Sequence, residues 1–148
     1  NLYKLNIYYL KFLTPSLKQR TNLSIFVYDQ TAASKCYGYD EHGVMVAAAD
    51  EDTLWDGGNA CGKRYRVKCL RGTNKGVEVP CKAGRTVTVK IVDLCPSGCR
   101  GNIDLSAEAF KHIADPDEGK IVISLEEYAQ RYILIVFFPP TQMRILNG

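Results

Sequence analysis

Thr86-Val-Thr-Val-Lys-Ile-Val92 alternates without a break, with Val87, Val89 and Ile91 pointing one way and Thr86, Thr88 and Lys90 the other. A period of two residues marks a strand with one buried face, and the run stops at Asp93. Shorter runs flank it. Val44-Met-Val-Ala-Ala-Ala49 is apolar and bounded by Gly43 and the acidic Asp50-Glu-Asp52; Tyr65-Arg-Val-Lys-Cys69 alternates; Val77 to Val79 is brief; Lys120-Ile-Val-Ile-Ser-Leu125 supplies a last strand. Thr73-Asn-Lys-Gly76 reads as a hairpin-like loop. Gly, Asn and Pro separate these runs, so the pattern predicts an all-β domain with one helix. Ser106 can accept from the free N–H groups of the helix's first turn, Leu105 and Phe110 occupy hydrophobic-staple positions, and Asp115-Pro116 ends it.

The chain has 148 residues and a net charge of +3, which suits one domain and one core. The charge is unevenly spread. Residues 28–127 hold 13 Lys plus Arg against all 16 Asp plus Glu, a net −3, together with all six cysteines and eleven of the twelve glycines. The mildly basic total therefore does not point to nucleic acid. Residues 1–27 and 128–148 carry six basic residues and no acid, and are read as non-domain flanks: extensions, or non-coding sequence translated from an imperfect gene prediction. Leu2 to Leu13 is interrupted by Lys4, Asn6 and Lys11, so secretion is inferred from the cysteines rather than from a leader. Tyr132-Ile-Leu-Ile-Val-Phe-Phe138 stops at Pro139-Pro140, far short of the roughly 20 residues that span a bilayer. If made, that run is an aggregation hazard.

Cys36, Cys61, Cys69, Cys81, Cys95 and Cys99 form an even set with uneven spacing, which reads as a disulfide framework of an extracellular compartment. Sequence alone allows 15 connectivities. A zinc site competes poorly, because there is no Cys-x-x-Cys and His42 and His112 stand in no ligand-like spacing.

Five blocks occur in order: Cys36-Tyr-Gly38, Leu54-Trp-Asp-Gly-Gly-Asn-Ala-Cys-Gly62, Tyr65-Arg-Val-Lys-Cys69, Val87-Thr-Val-Lys-Ile-Val-Asp-Leu-Cys-Pro96 and Asn102-Ile-Asp-Leu-Ser-Ala-Glu-Ala-Phe110. Together they resemble the expansin-like EG45 domains, a group that includes plant natriuretic peptides. The resemblance implies a six-stranded double-psi β-barrel with one short helix, related to barwin, to the first domain of expansins and to family 45 endoglucanases. It also implies the pairs Cys36 with Cys61, Cys69 with Cys81, and Cys95 with Cys99.

Glycoside hydrolysis normally takes a carboxylic acid and a second carboxylate. Asp104 matches the aspartate of the expansin His-Phe-Asp motif, which the resemblance equates with the general acid of family 45 enzymes. Asp93 is expected beside the same groove as a supporting carboxylate. Two departures weigh against catalysis: Asn102 stands where expansins carry histidine, and the second carboxylate has no secure match, Asp29 being only roughly in place. The structural alternatives are a carboxylate accepting backbone hydrogen bonds for Asp104 and a turn cap for Asp93. Tyr37, Tyr39 and Trp55 are candidate platforms for sugar rings, with plain packing as the alternative for Trp55. Arg64, Arg66 and Lys68 share one face of a strand, which suits an acidic wall polymer or a receptor, or is simply a solvated row. Gly57-Gly58 is a tight turn and no phosphate loop. Asn22-Leu-Ser24 is a glycosylation sequon in the flank.

Three functions follow as expectations. The first is a secreted, non-enzymatic apoplastic protein, signalling or wall-associated, that modulates water and ion balance or stress response. The second is expansin-like wall loosening by glycan binding, and the third a weak endoglucanase or lytic transglycosylase using Asp104. No cofactor and no metal are expected. The expected partners are a cell-wall polysaccharide or a plasma-membrane receptor, with no nucleic acid, no transmembrane segment and a monomeric state.

Overall fold

In a computed structural model of the chain, the described residues are 6–15, 19–25, 32–95 and 101–137, with side chains described over 32–95 and 101–128. The chain divides into two compact units, Pro15–Tyr128 on one hand and Asn1–Thr14 with Ala129–Gly148 on the other. The strands are β1 (Asn6–Pro15), β2 (Gln19–Ile25), β3 (Val46–Ala49), β4 (Arg64–Gly72), β5 (Val87–Leu94), β6 (Ile103–Leu105) and β7 (Lys120–Phe137). The helix α1 spans Ala107–Ile113. Among the described residues no helix is long and apolar enough to cross a membrane.

Within the larger unit the strands pair in the order β7-β2-β6-β3-β5-β4, and β4 pairs back to β7. The β2–β6 and β3–β5 contacts are parallel, the others antiparallel. The sheet curls because each strand offers one apolar side. In β4, Tyr65, Val67 and Cys69 are buried while Arg64, Arg66 and Lys68 are exposed; in β5, Val87, Val89 and Ile91 are buried and Thr88 is exposed. These inward residues meet Ala47, Ala49, Ile103, Leu105, Ile121, Ile123 and Leu125 in one core. The helix adds Ala109, Phe110 and Ile113 to it. Burying each large aliphatic or aromatic side chain is worth about 1.5–3 kcal/mol.

The helix is bounded as its sequence predicts. Ser106 Oγ accepts from Ala109 N–H at 3.2 Å, and its hydroxyl donates to the Val44 carbonyl. Leu105 and Phe110 are both fully buried. Ala114 leaves the helix in extended conformation, and Asp115 caps the 3-10 turn Pro116–Glu118 that follows.

Two disulfides lie wholly in described residues, Cys36–Cys61 and Cys69–Cys81, as the family resemblance implies. Cys95 is disulfide-bonded too, and its expected partner Cys99 lies outside the described residues.

Three stretches depart from expectation. Val77 to Val79 is not a strand: Val79 is 80% exposed and Pro80 has no N–H to give a ladder. The chain here is tied down instead by the Cys69–Cys81 bond and an isolated bridge between Cys81 and Ala114. The last strand continues well past Leu125, to Phe137. Finally, β2 comes from residues 1–27, expected as a flank, yet it pairs with β7 on one side and β6 on the other. Without it, the facing edges of β6 and β7 would present unpaired N–H and C=O groups.

Candidate functional site

Ala48 organises the candidate site. It stands opposite Asp104 across the antiparallel β3–β6 pair and opposite Asp93 across the parallel β3–β5 pair. Residues in register point to the same face, so both carboxylates leave the sheet on its outer side, away from the core. Two strand spacings put their Cα atoms about 9.6 Å apart. A strict alternation along β5 would have sent Asp93 inward with Val87, Val89 and Ile91. A bulge prevents this: the register moves from Ala47↔Ile91 to Ala48↔Asp93, leaving Val92 as the extra residue.

The two carboxylates have different surroundings. Asp104 is buried, 5% exposed, and Cys95 Sγ lies 2.9 Å from its Oδ2. A half-cystine sulfur carries no hydrogen, so the disulfide sits against the carboxyl as a cover rather than as a donor. Asp93 is half-buried, and its Oδ1 accepts from Lys35 N–H at 2.7 Å and Leu94 N–H at 2.8 Å. It thereby ties the chain before Cys36 onto the outside of β5, where Cys36 N–H also donates to the Val92 carbonyl at 3.2 Å.

Asn102, two residues before Asp104, belongs to a polar chain. Its Nδ2 donates to Thr53 Oγ1 at 2.9 Å, Thr53 Oγ1 donates to Asp50 Oδ1 at 2.7 Å, and the Asn102 carbonyl accepts from Asp50 N–H at 3.1 Å. The loop after β3 is thus latched to the strand that bears Asp104.

Beside Asp93 opens a hollow of about 450 Å³ lined by Ser34, Lys35, Glu51, Asp93 and Cys95 among others. Glu51 is the residue that sequence reasoning passed over, because it read Asp50-Glu-Asp52 only as the boundary of a strand. Its position two residues after β3, the strand that separates Asp93 from Asp104, was the available signal.

The candidate platforms do not gather there. Trp55 packs in the core at 9% exposure, so its ring is not an open surface. Tyr37 stacks on His42 with ring centroids 4.0 Å apart, and Lys90 Nζ lies 4.6 Å from its ring centre. Tyr39 is 79% exposed. Arg64, Arg66 and Lys68 line the outer side of β4, a different part of the surface from the hollow's lining. Among the described residues no group of three His, Cys, Asp or Glu converges as metal ligands would.

One inward group is strongly perturbed. Burial pushes the Tyr65 phenol up from 10.0 to about 12, and the nearby negative charge of Glu127 adds to the shift.

The curled sheet and its one helix carry residues 47–125, which match the family model described as lytic transglycolase. Two structures of the Clavibacter michiganensis expansin share the fold. One, a mutant in complex with cellohexaose, superposes with a TM-score of 0.55 at 22% identity; the other, ligand-free, with 0.54 at 23%. Both alignments cover 80% of this chain, which spans 50% of the length of each expansin. An EG45-like domain containing protein of Citrus jambhiri is 53% identical over 94 residues, 64% of this chain and 70% of the relative. EG45-like domain containing protein 2 of Arabidopsis thaliana is 36% identical over 115 residues, 78% of this chain and 85% of the relative. The chain belongs to the EG45-like domain family.

Proposed function

We propose that this EG45-like protein is a secreted, monomeric double-psi β-barrel of the plant apoplast that acts without hydrolysis, by binding wall glycan. The ring of pairings from β7 through β2, β6, β3, β5 and β4 back to β7 supports the barrel reading. The observation that carries the functional reading is the burial of Asp104 behind the Cys95 sulfur. A general acid has to come within about 2.6–3.2 Å of the leaving oxygen. Asp104 is covered, and Asp93 spends one oxygen on two backbone donors. What remains open is the hollow, where Lys35, Glu51 and Asp93 offer donors and acceptors to sugar hydroxyls. The expansin solved with cellohexaose supports a β-glucan as the glycan. The disulfides support an oxidising compartment. A part in water and ion balance fits the same non-hydrolytic reading and rests on the resemblance to natriuretic peptides.

The test is binding and turnover together. The oxidised full chain and its Asp104→Asn variant are incubated with cellulose, xyloglucan and pectin, and pelleted protein and released reducing ends are scored. Both proteins should pellet and neither should release ends. Release that vanishes in the variant would overturn the proposal, and so would failure of both proteins to pellet with any polymer.

A further inference from the structure

We infer that the outer face of β5, β4 and β7 is a second binding surface, built for a linear polysaccharide that carries carboxylates. Arg64, Arg66 and Lys68 project from alternate positions of β4, about 6.8 Å apart along the strand. The neighbours continue the face: Lys90 stands in register with Arg64, Thr88 and Glu126 with Arg66, and Ser124 with Lys68.

The partners of these cations set the field. Lys90 Nζ lies 3.0 Å from His42 Nδ1 and over the Tyr37 ring, both uncharged neighbours when the histidine accepts from the ammonium. Arg66 Nη2 donates to Tyr128 Oη at 2.8 Å, and its guanidinium lies 4.9 Å from that ring's centre. The side chains of Arg64 and Lys68 are exposed and make no ion pair or hydrogen bond among the described residues. Among the described residues four cations therefore face a single carboxylate, Glu126, which is 9% exposed. The surrounding span of residues 28–127 has a net charge of −3, so this positive field is local. An acidic domain that seats its cations on phenol and imidazole rather than on its own carboxylates leaves them free to meet external ones.

The form of the cations selects the anion. The Arg66 fork is anchored at Tyr128 through one N–H, which leaves its remaining N–H groups to a planar carboxylate in two-point contact. A straight row at strand spacing fits an extended chain with charges at regular intervals. Disulfide bonding fits an oxidising, extracellular compartment, which favours a wall polymer over nucleic acid as the anion. The inference rests on the wall-binding proposal only for the choice of a polysaccharide; the residues are different.

The test is titration of the full oxidised chain with soluble polygalacturonate, with its fully methyl-esterified form and with cellohexaose. Wild type should bind polygalacturonate with an affinity that falls as salt rises, and should bind the uncharged ester at least about tenfold more weakly. The double variant Arg64→Gln/Lys68→Gln should lose about tenfold or more on polygalacturonate while its cellohexaose binding and melting temperature stay at wild-type values. Equal binding of ester and acid, or an unaffected double variant, overturns the surface. So does tighter binding of duplex DNA or anionic vesicles than of polygalacturonate. Loss of cellohexaose binding in wild type, with polygalacturonate binding intact, would instead sink the β-glucan proposal and leave this one standing.

Discussion

The Glu118 carboxylate occupies the space that a side chain on Gly72 would need: a β-carbon there would lie 2.5 Å from Glu118 Oε1 and 2.7 Å from Pro80 Cγ. Glu118 is buried, and the same oxygen accepts from the backbone N–H groups of Thr73 and Asn74. Gly72→Ala must push the carboxylate off those donors, and overpacking of this kind costs roughly 1–3 kcal/mol. Glu118→Ala should cost about 1–3 kcal/mol in total through the two lost hydrogen bonds, because Thr73 and Asn74 are exposed and their N–H groups can turn to water. Urea unfolding of both variants checks this. A Gly72→Ala midpoint equal to wild type would mean that the loop moves freely and Glu118 is not its latch.

The two disulfides should differ in worth. Cys36–Cys61 closes a separation of 25 residues and Cys69–Cys81 one of 12. Chain entropy then gives about 3.5 and about 2.8 kcal/mol respectively. Paired Cys→Ser variants, compared by denaturant unfolding, should both be destabilised, the Cys36/Cys61 pair more. The reverse order would show that holding the 73–80 loop matters more than constraining the unfolded chain.

Much of the fold was legible because it is written in side-chain period. The alternation of Thr86–Val92, the Ser106 cap and the Asp115-Pro116 stop each depend on a few adjacent residues, and each is found as read. What was not legible depends on partners far away in sequence. No local feature of Gln19–Ile25 announces that it fills the place between β6 and β7. Asp93 and Asp104 both stand in register with Ala48, and the means, a bulge at Val92, is visible only in register with β3. The Asp104 cover could not be read either, since it comes from a disulfide sulfur that meets the carboxyl across two segments. The row Arg64, Arg66 and Lys68 was seen in the sequence; that Lys90 joins its face, and that Arg66 meets a phenol and Lys90 an imidazole, was not.

Tyr65 supplies a pH signature. Its phenol is raised from 10.0 to about 12 in the fold, first by burial and then by Glu127. A raised acid favours its neutral form in the native state, so its stabilisation is complete below pH 10 and is lost as pH climbs through 12. Thermal unfolding followed from pH 8 to pH 12 should show wild type declining through that window. Tyr65→Phe has no proton to lose there, so its decline should be shallower. Identical slopes would mean that other groups set the alkaline limit.

Asp93 can be tested for whether it acts as an acceptor or as a charge. Its Oδ1 takes both Lys35 N–H and Leu94 N–H, and an asparagine carbonyl in the same position can accept both. Asp93→Asn should therefore keep most of the wild-type stability, while Asp93→Ala should lose about 1–3 kcal/mol by stranding the two donors. Hydrogen exchange at Lys35 and Leu94 gives the local readout: fast in the alanine variant, slowed in the asparagine one. Cellohexaose titration of the same pair separates the roles further. If Asp93 only anchors the chain before Cys36, binding follows stability and the asparagine variant binds like wild type. If its charge meets a sugar hydroxyl in the hollow, the asparagine variant binds more weakly with its fold and exchange pattern intact. An asparagine variant as unstable as the alanine one would show that the negative charge itself, rather than the acceptor's position, holds the segment to β5.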